Sequence, residues 1–398
     1  MINGEQGARG MMLEVMDSEQ QEKIKSNTPC YVFDERHFYE TICQLRDECG
    51  QGVNICFSIK SNPWLAPYIE HYVDQVEVCS EGELELCERA GINMGCILAG
   101  GVSKSLRELV HMIRAGVGMI SIESRLQLEL LEQACRQEES SCRCLLRVSS
   151  GNQFGMPIKE IKKILSERKE TSLVRFAGLH YYSGTQKRSA NEILKEMDAL
   201  ETFADEIGSC FDKQPFIMEY GPGIGYPYFI TDKKEYHREI IRTISKRCSR
   251  WAEKYHFVFE AGRICASEAG DYITKVVDIK RNEGKLFYIV DGGCHQLKYY
   301  NQSNGYRIPY FDVIHIEKRT RGKAAATVNG SLCTAGDVLM RDAELEECDI
   351  GDLFVFHNVG AYSSTEAMAL FLSRKYPGIF VWEQNRELKQ IFQGRVLL

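Results

Sequence analysis

Nowhere does this sequence of 398 residues reach the roughly 18 consecutive apolar residues that a membrane-crossing helix requires. The opening "MINGEQGARGMMLEVMDSEQQEKIK" also lacks the apolar centre of a secretory signal peptide. Positive charge is in short supply, with 49 Lys and Arg against 56 Asp and Glu and a formal net charge of -7. No block of basic residues interleaved with aromatics occurs. That argues against nucleic acid as a partner, because affinity for a phosphate backbone rests on clustered Lys and Arg. No Cys-x-x-Cys pair of the zinc type is present, and "CRC" at 142–144 is too tightly spaced to replace one, so no metal site is expected. Low-complexity tracts and close repeats are missing as well. The expectation is a cytoplasmic protein that works without membrane or nucleic acid.

What the chain does have is an ordinary globular balance, 44% hydrophobic and 26% charged residues. Its length suggests about two to three domains and a large core. A barrel of roughly 250 residues would count as one of them. Sixteen cysteines lie scattered, several in apolar runs such as "CILAG" and "CLLRV", which reads as reduced thiols in a cytosolic core rather than a disulfide framework.

Short apolar runs recur along the first two thirds: 54–59, 75–79, 96–100, 119–123, 144–148, 176–182, 216–221 and 257–262. Amphipathic, charge-rich stretches such as "SEGELELCERAG" separate most of them. In that stretch Ser80 and Glu83 fit a capping box, and Gly91 is placed to end the helix. Strand and helix alternating eight times predict an α/β fold built on a (β/α)8 TIM-like barrel, residues 37–263. An open doubly wound sheet is the alternative, but no GxGxxG follows an early strand. Beyond residue 264 the texture turns to alternating β-type runs, with a hairpin around "NEG" at 282–284. A C-terminal β-rich domain is expected over 264–398, with the N-terminal segment 1–36 adding a strand from "CYVFD".

Barrels of this kind place their chemistry at the C-terminal ends of the strands. There the sequence has Lys60 after the first run, Glu77 in the second and Arg147 in the fifth. Tyr182, Ser183 and Thr185 close the sixth, the glycines of "EYGPGIGYPYF" follow the seventh, and Glu260 and Arg263 end the eighth. Singly each has a plain reading: a lysine snorkelling to water, a tight glycine loop, a surface ion pair. Together they put a primary amine opposite an anion-sized glycine loop. Lysine forms a Schiff base with an aldehyde, and pyridoxal 5'-phosphate is an aldehyde that also carries a phosphate. Glu260 is suitably placed to keep its ring nitrogen protonated.

With "FSIKSNP", "VEVCSEGEL", "FGM", "GLHYYSGTQ", "EYGPGIGYPYF", "FEAGR", "VDGGCHQL", "GSLCTAGDVL" and "VGAY" in this order, the chain resembles the alanine-racemase-fold pyridoxal-phosphate decarboxylases. These act on diaminopimelate, ornithine and arginine. The resemblance spans nearly the whole sequence. It implies that Lys60 carries the Schiff base and that Gly221, Gly223, Arg263 and Tyr362 surround the phosphate, with Gly262 and Thr185 beside them. Glu260 would face the ring nitrogen, Tyr182 would stack on the ring, and Glu77 and Arg147 would lie near it. Cys333 would enter from the partner subunit of a homodimer with shared active sites, although composition alone reads it as one more buried thiol.

The departures concern ring and substrate. Tyr182 stands where the family usually has a histidine, and Pro222 removes one amide from the phosphate loop. Thr334 follows Cys333 where an acidic residue usually receives a distal amine; Asp337 remains and could be structural. Thr334, Asp337 and His295 are therefore candidate substrate-binding residues, with Thr334 and, more so, His295 also readable as satisfied bystanders. This pattern is similar to a side branch acting on unusual or carrier-protein-bound amino acids. A racemase of the same fold and a non-catalytic regulatory homologue are the competing readings; Glu260 disfavours the first, and the joint presence of Lys60, Glu260, Arg263 and Cys333 the second.

Overall fold

The structure is a computed structural model describing residues 12–168, 172–211 and 215–397. Residues 1–11 of the 1–36 segment lie outside the described residues. After β1 (Cys30–Asp34), eight strands follow: β2 (Asn54–Ser58), β3 (Gln75–Val78), β4 (Ile97–Ala99), β5 (Met119–Ile122), β6 (Cys142–Arg147), β7 (Val174–Tyr182), β8 (Ile217–Gly221) and β9 (His256–Ala261). They close into a barrel in that order, with neighbouring strands parallel and β9 beside β2. Each of the eight apolar runs is one of these strands, because a strand covered by helices outside and side chains inside must be apolar on both faces.

The interior of the barrel is layered. Cys56, Leu98, Met119, Leu145, Ala177, Ile217 and Val258, one from each of seven strands, pack into a dry plug. Side chains two residues apart share a face of a strand. Two residues further on, five of the seven strands place Ser58, Ser121, Arg147, Glu219 and Glu260 on that face. An apolar floor thus gives way to a polar layer within a single rung.

Local signals explain the connecting helices. Ser80 caps Glu81–Ala90 by accepting from the Glu83 amide, and Gly91 ends it in the left-handed region at φ +79°. Only half of the expected capping box forms. The Glu83 carboxylate accepts instead from the Cys79 amide at 2.7 Å, one residue further back, which ties this helix start to the loop that carries Cys79.

The β-rich unit contains the chain up to Glu40, Pro227–Lys234 and everything from Ala266 on. Its strands are β1, β10 (Gly270–Asn282), β11 (Lys285–Val290), β12 (Phe311–Ile314), β13 (Lys323–Asn329), β14 (Val338–Glu346), β15 (Leu353–Phe356), β16 (Gly378–Trp382) and β17 (Leu388–Phe392). Their order is β14-β13-β11-β10-β1-β16-β17, with β15 pairing β10 and β12. β1 lies antiparallel to β10 and parallel to β16, with Cys30 opposite Ile273 and Gly378. β10 and β11 form the hairpin around Glu283 and Gly284. Pro227–Lys234 interrupts the barrel sequence because its side chains bind here: Arg307 lies over the Phe229 ring at 3.8 Å and bonds Asp232 at 2.7 Å.

His357, just after β15, is clipped between Asp271 of β10 at 3.0 Å and Asp312 of β12 at 2.9 Å. Burial opposes its protonation, yet the two carboxylates override it and raise its pKa to about 9. A histidine whose pKa is raised on folding stabilises fully below its unfolded value of about 6.5 and loses that contribution as pH climbs through about 9. In His357→Gln, the decline of thermal stability between these limits should flatten; melting curves across the window would check it, and an unchanged slope would refute the clip.

Candidate active site

The chain leaves β2 through two single-turn helices, Ile59–Ser61 and Pro63–Leu65, and Asn62 secures the turn by accepting from the Trp64 amide at 3.1 Å. This places Lys60 at the barrel mouth. Its Nζ lies 2.6 Å from Glu77 Oε2 and 3.3 Å from Cys79 Sγ, while Cys79 Sγ donates to Glu77 Oε1 at 3.0 Å. Glu77 is buried and Lys60 partly exposed. Burial pushes the Glu77 carboxyl up, but the Lys60 charge and the hydrogen bonds from Cys79 and Lys60 win and hold it down at about 2. Burial and the Glu77 charge push the Cys79 thiol up, so it stays a thiol.

Across the polar layer, Glu260 is held at both oxygens. Ser58 Oγ donates to Oε1 at 3.0 Å, and His180 Nε2 lies 3.2 Å from Oε2. His180 Nδ1 bonds Ser121 Oγ at 2.8 Å. The chain β9–β7–β5 thus fixes the orientation of a buried carboxylate, which would otherwise be costly to keep charged. Arg147 pairs with buried Glu123 at 2.8 Å and lies over the Phe154 ring at 4.9 Å. Glu123 also accepts from the Gly155 amide at 3.0 Å, so Arg147 and the "FGM" segment are fastened together.

Glycine is required in the loop after β8 for steric reasons. A Cβ on Gly221 would stand 2.8 Å from the Tyr182 ring and 3.3 Å from Glu260. Gly223 has φ +63°, and a Cβ there would sit 1.7 Å from the Gly184 carbonyl. The loop is zipped to the β7 loop by Lys187 N–H to Gly223 O and Gly225 N–H to Lys187 O, both 2.9 Å. Tyr182 bonds Thr185, and burial with the nearby Glu260 charge raises its hydroxyl pKa, so this ring is neutral. Gly262 packs on Ser61 and Ser58. Arg263 follows at the end of β9, buried and within electrostatic reach of Tyr182. Ser183 is diverted from any ligand: its hydroxyl donates to Glu196 at 2.6 Å.

Lys60, Glu77, Arg147, Tyr182, Thr185, Gly221, Gly223, Glu260, Gly262 and Arg263 therefore gather on the C-terminal rim of one barrel. The other candidates belong to the β-rich unit. Cys333 and Thr334 lie on an exposed loop; Cys333 is not one more buried thiol. Asp337 is buried, and its two oxygens accept from the amides of Cys294 and Leu332, each at 2.7 Å. That bracing makes it a structural residue. His295 is buried nearby with no partner at Nδ1, so it is not a satisfied bystander; burial lowers its pKa and leaves it neutral. Tyr362 sits at φ +65° ahead of the short helix Ser363–Glu366.

Sequence reasoning missed Ser58, Ser121 and Glu219, although counting two residues along from the apolar floor would have found them. It also passed over Cys79 and Lys104. Lys104 is buried, donates to the Gly101 carbonyl at 2.5 Å and is lowered by burial to about 8.

A barrel of eight parallel strands with an amine, a glycine cradle and an oriented carboxylate on its rim suits a cofactor that is both aldehyde and phosphate. The comparisons agree. The family model described as pyridoxal-dependent decarboxylase, C-terminal sheet domain, matches residues 30–360. The chain belongs to that family. It is 27% identical over 376 residues to an L-glutamyl-(BtrI acyl-carrier protein) decarboxylase of Niallia circulans, covering 88% of this chain and 87% of the relative. It is 25% identical over 355 residues to a diaminopimelate decarboxylase of Aquifex aeolicus, covering 84% and 82%. In fold it matches the diaminopimelate decarboxylase of Helicobacter pylori complexed with L-lysine, with a TM-score of 0.82, 22% identity and coverage of 95% and 97%. The protein is a pyridoxal-phosphate-dependent amino-acid decarboxylase of the diaminopimelate decarboxylase type. Neither competing reading, racemase or non-catalytic homologue, is carried by these relatives.

The cradle tests directly. In Gly223→Ala the new methyl must part the two loops, and retention of pyridoxal phosphate after dialysis should fall at least about tenfold, equivalent to 1.4 kcal/mol. Unchanged retention, followed by the visible absorbance of the bound cofactor, would show that the cradle is not needed.

Proposed function

We propose that Lys60 anchors the cofactor and that Glu260 faces its ring nitrogen. The observation that supports this most is that one amine and one carboxylate, each oriented by its own buried partners, stand on the same rim. Bound pyridoxal phosphate supplies an electron sink for the charge left at Cα when carbon dioxide departs. Glu260, steadied by Ser58 and His180, keeps a proton on that nitrogen, which is electrostatic stabilisation of developing charge. Gly221, Gly223, Thr185, Arg263 and Tyr362 hold the phosphate, with Gly262 keeping the approach open. Tyr182 covers the ring, with Glu77 and Arg147 at its margin. Glu77 also holds the Lys60 ammonium when the amine is displaced, so Lys60 Nζ can return a proton to Cα. Cys333 Sγ is the second proton source, delivered by the partner subunit of a homodimer.

The substrate reading is an amino acid whose far end is not a cation, presented on a carrier protein. Asp337 is the one carboxylate in the 331–337 loop, and two backbone amides already occupy it. A hydroxyl at Thr334 and a neutral His295 suit an amide or thioester better than an ammonium, which would be left without a counter-charge. The Niallia circulans relative, named for a glutamyl carrier protein, supports the same choice. Sixteen free cysteines support a reducing, cytoplasmic setting.

Mass spectrometry of products from free diamino acids, free acidic amino acids and aminoacyl carrier protein should show carbon dioxide loss chiefly from the carrier-linked substrate. Faster decarboxylation of a free diamino acid would overturn the substrate reading. Lys60→Ala and Cys333→Ala should each lower turnover by at least about 10²-fold, the scale of positioned proton transfer. Mixing the two inactive variants should restore roughly a quarter of wild-type activity, since half the dimers are mixed and each has one intact site. No recovery on mixing would count against shared sites.

A further inference from the structure

Glu219 of β8 is completely buried at the centre of the polar layer, and no role has yet been given to it. Neither carboxylate oxygen has a hydrogen-bond partner of good geometry. The groups that face it come from five directions: Glu260 on β9, Glu77 on β3, His180 on β7, the Cys56 thiol on β2, and Lys60 beyond β2. One side-chain atom each of His180, Glu219 and Glu260 lie within 4.8 Å of one another.

We propose that Glu219 is a neutral, protonated carboxylic acid and the positioning residue for Glu260, holding the proton so that Glu260 carries the negative charge of the pair. Two carboxylates this close in a dry interior do not both ionise, as one must hold a proton to escape the repulsion. The surroundings decide which. Glu260 has a hydroxyl donor on one oxygen and an imidazole on the other, which favour the ionised form. Glu219 has neither, and an unpartnered buried anion is among the costliest arrangements in a protein. Burial first, then the charges of Glu260 and Glu77, push the Glu219 carboxyl well above the ordinary carboxylate range.

The consequence for the site is one of charge number. With Glu219 neutral, a single negative charge faces the ring-nitrogen position and is balanced by a single proton there. This inference rests on the reading of Glu260 as the partner of that nitrogen, but it is tested without cofactor. Infrared difference spectra of the cofactor-free protein at pH 8, where an exposed glutamate is essentially all ionised, should contain a protonated-carboxyl carbonyl band. The band should vanish in both Glu219→Gln and Glu219→Met and remain in Glu260→Gln. The Gln variant preserves shape and the Met variant removes polarity, so loss in either folded variant identifies its source. A wild-type spectrum without the band, or a band that survives both Glu219 variants and Glu260→Gln, overturns the proposal and leaves the Glu260 reading standing. Loss of the band in Glu260→Gln alone would place the proton on Glu260 and overturn both.

Discussion

Charge inside a closed barrel is the constraint on which the rest of this structure depends. A parallel barrel filled with side chains admits little water, so every ionised group within it needs a partner held by the protein. The polar layer meets that demand pair by pair: Lys60 with Glu77, Arg147 with Glu123, Glu260 with Ser58 and His180. Beneath it the plug of Cys56, Leu98, Met119, Leu145, Ala177, Ile217 and Val258 supplies a rigid apolar floor. That floor makes the layer above it precise, since strands that cannot shift keep their side chains in register.

The same constraint separates the roles of residues of one type. Glu77, Glu123, Glu219 and Glu260 are all buried glutamates, yet a cation sits against Glu77 and Glu123 and hydroxyl and imidazole against Glu260, while neither oxygen of Glu219 has a hydrogen-bond partner of good geometry. Environment, not residue type, sets these four carboxylates apart. In the β-rich unit, Asp337 makes the complementary point. An aspartate that a sequence offers as a substrate ligand is committed to two backbone amides, and its charge is spent on joining the 291–297 and 330–337 segments.

Much of the site was legible because its residues stand at strand ends, where period-two apolar runs stop and polar side chains begin. Lys60, Glu77, Glu260 and Arg263 could be picked out that way, and the glycines at 221 and 223 by their density. The polar layer was less legible. Ser58 and Ser121 are unremarkable letters in apolar runs, and with Glu260 and His180 they form one chain only because β2, β9, β7 and β5 face each other across the barrel. Glu83 fitted a capping box in sequence but bonds one residue further back, since the end of β3 brings the Cys79 amide closer than the Ser80 amide.

Order along the chain therefore determined the alternation of strand and helix, the apolar faces of the barrel, and which side chains stand on its rim. These are properties of local periodicity, and local periodicity is written in neighbouring residues. Which carboxylate is paired, which is braced and which is left without a partner was decided only by the fold. That decision depends on distances between strands far apart in sequence, and a few ångströms of separation change the charge a buried group can bear.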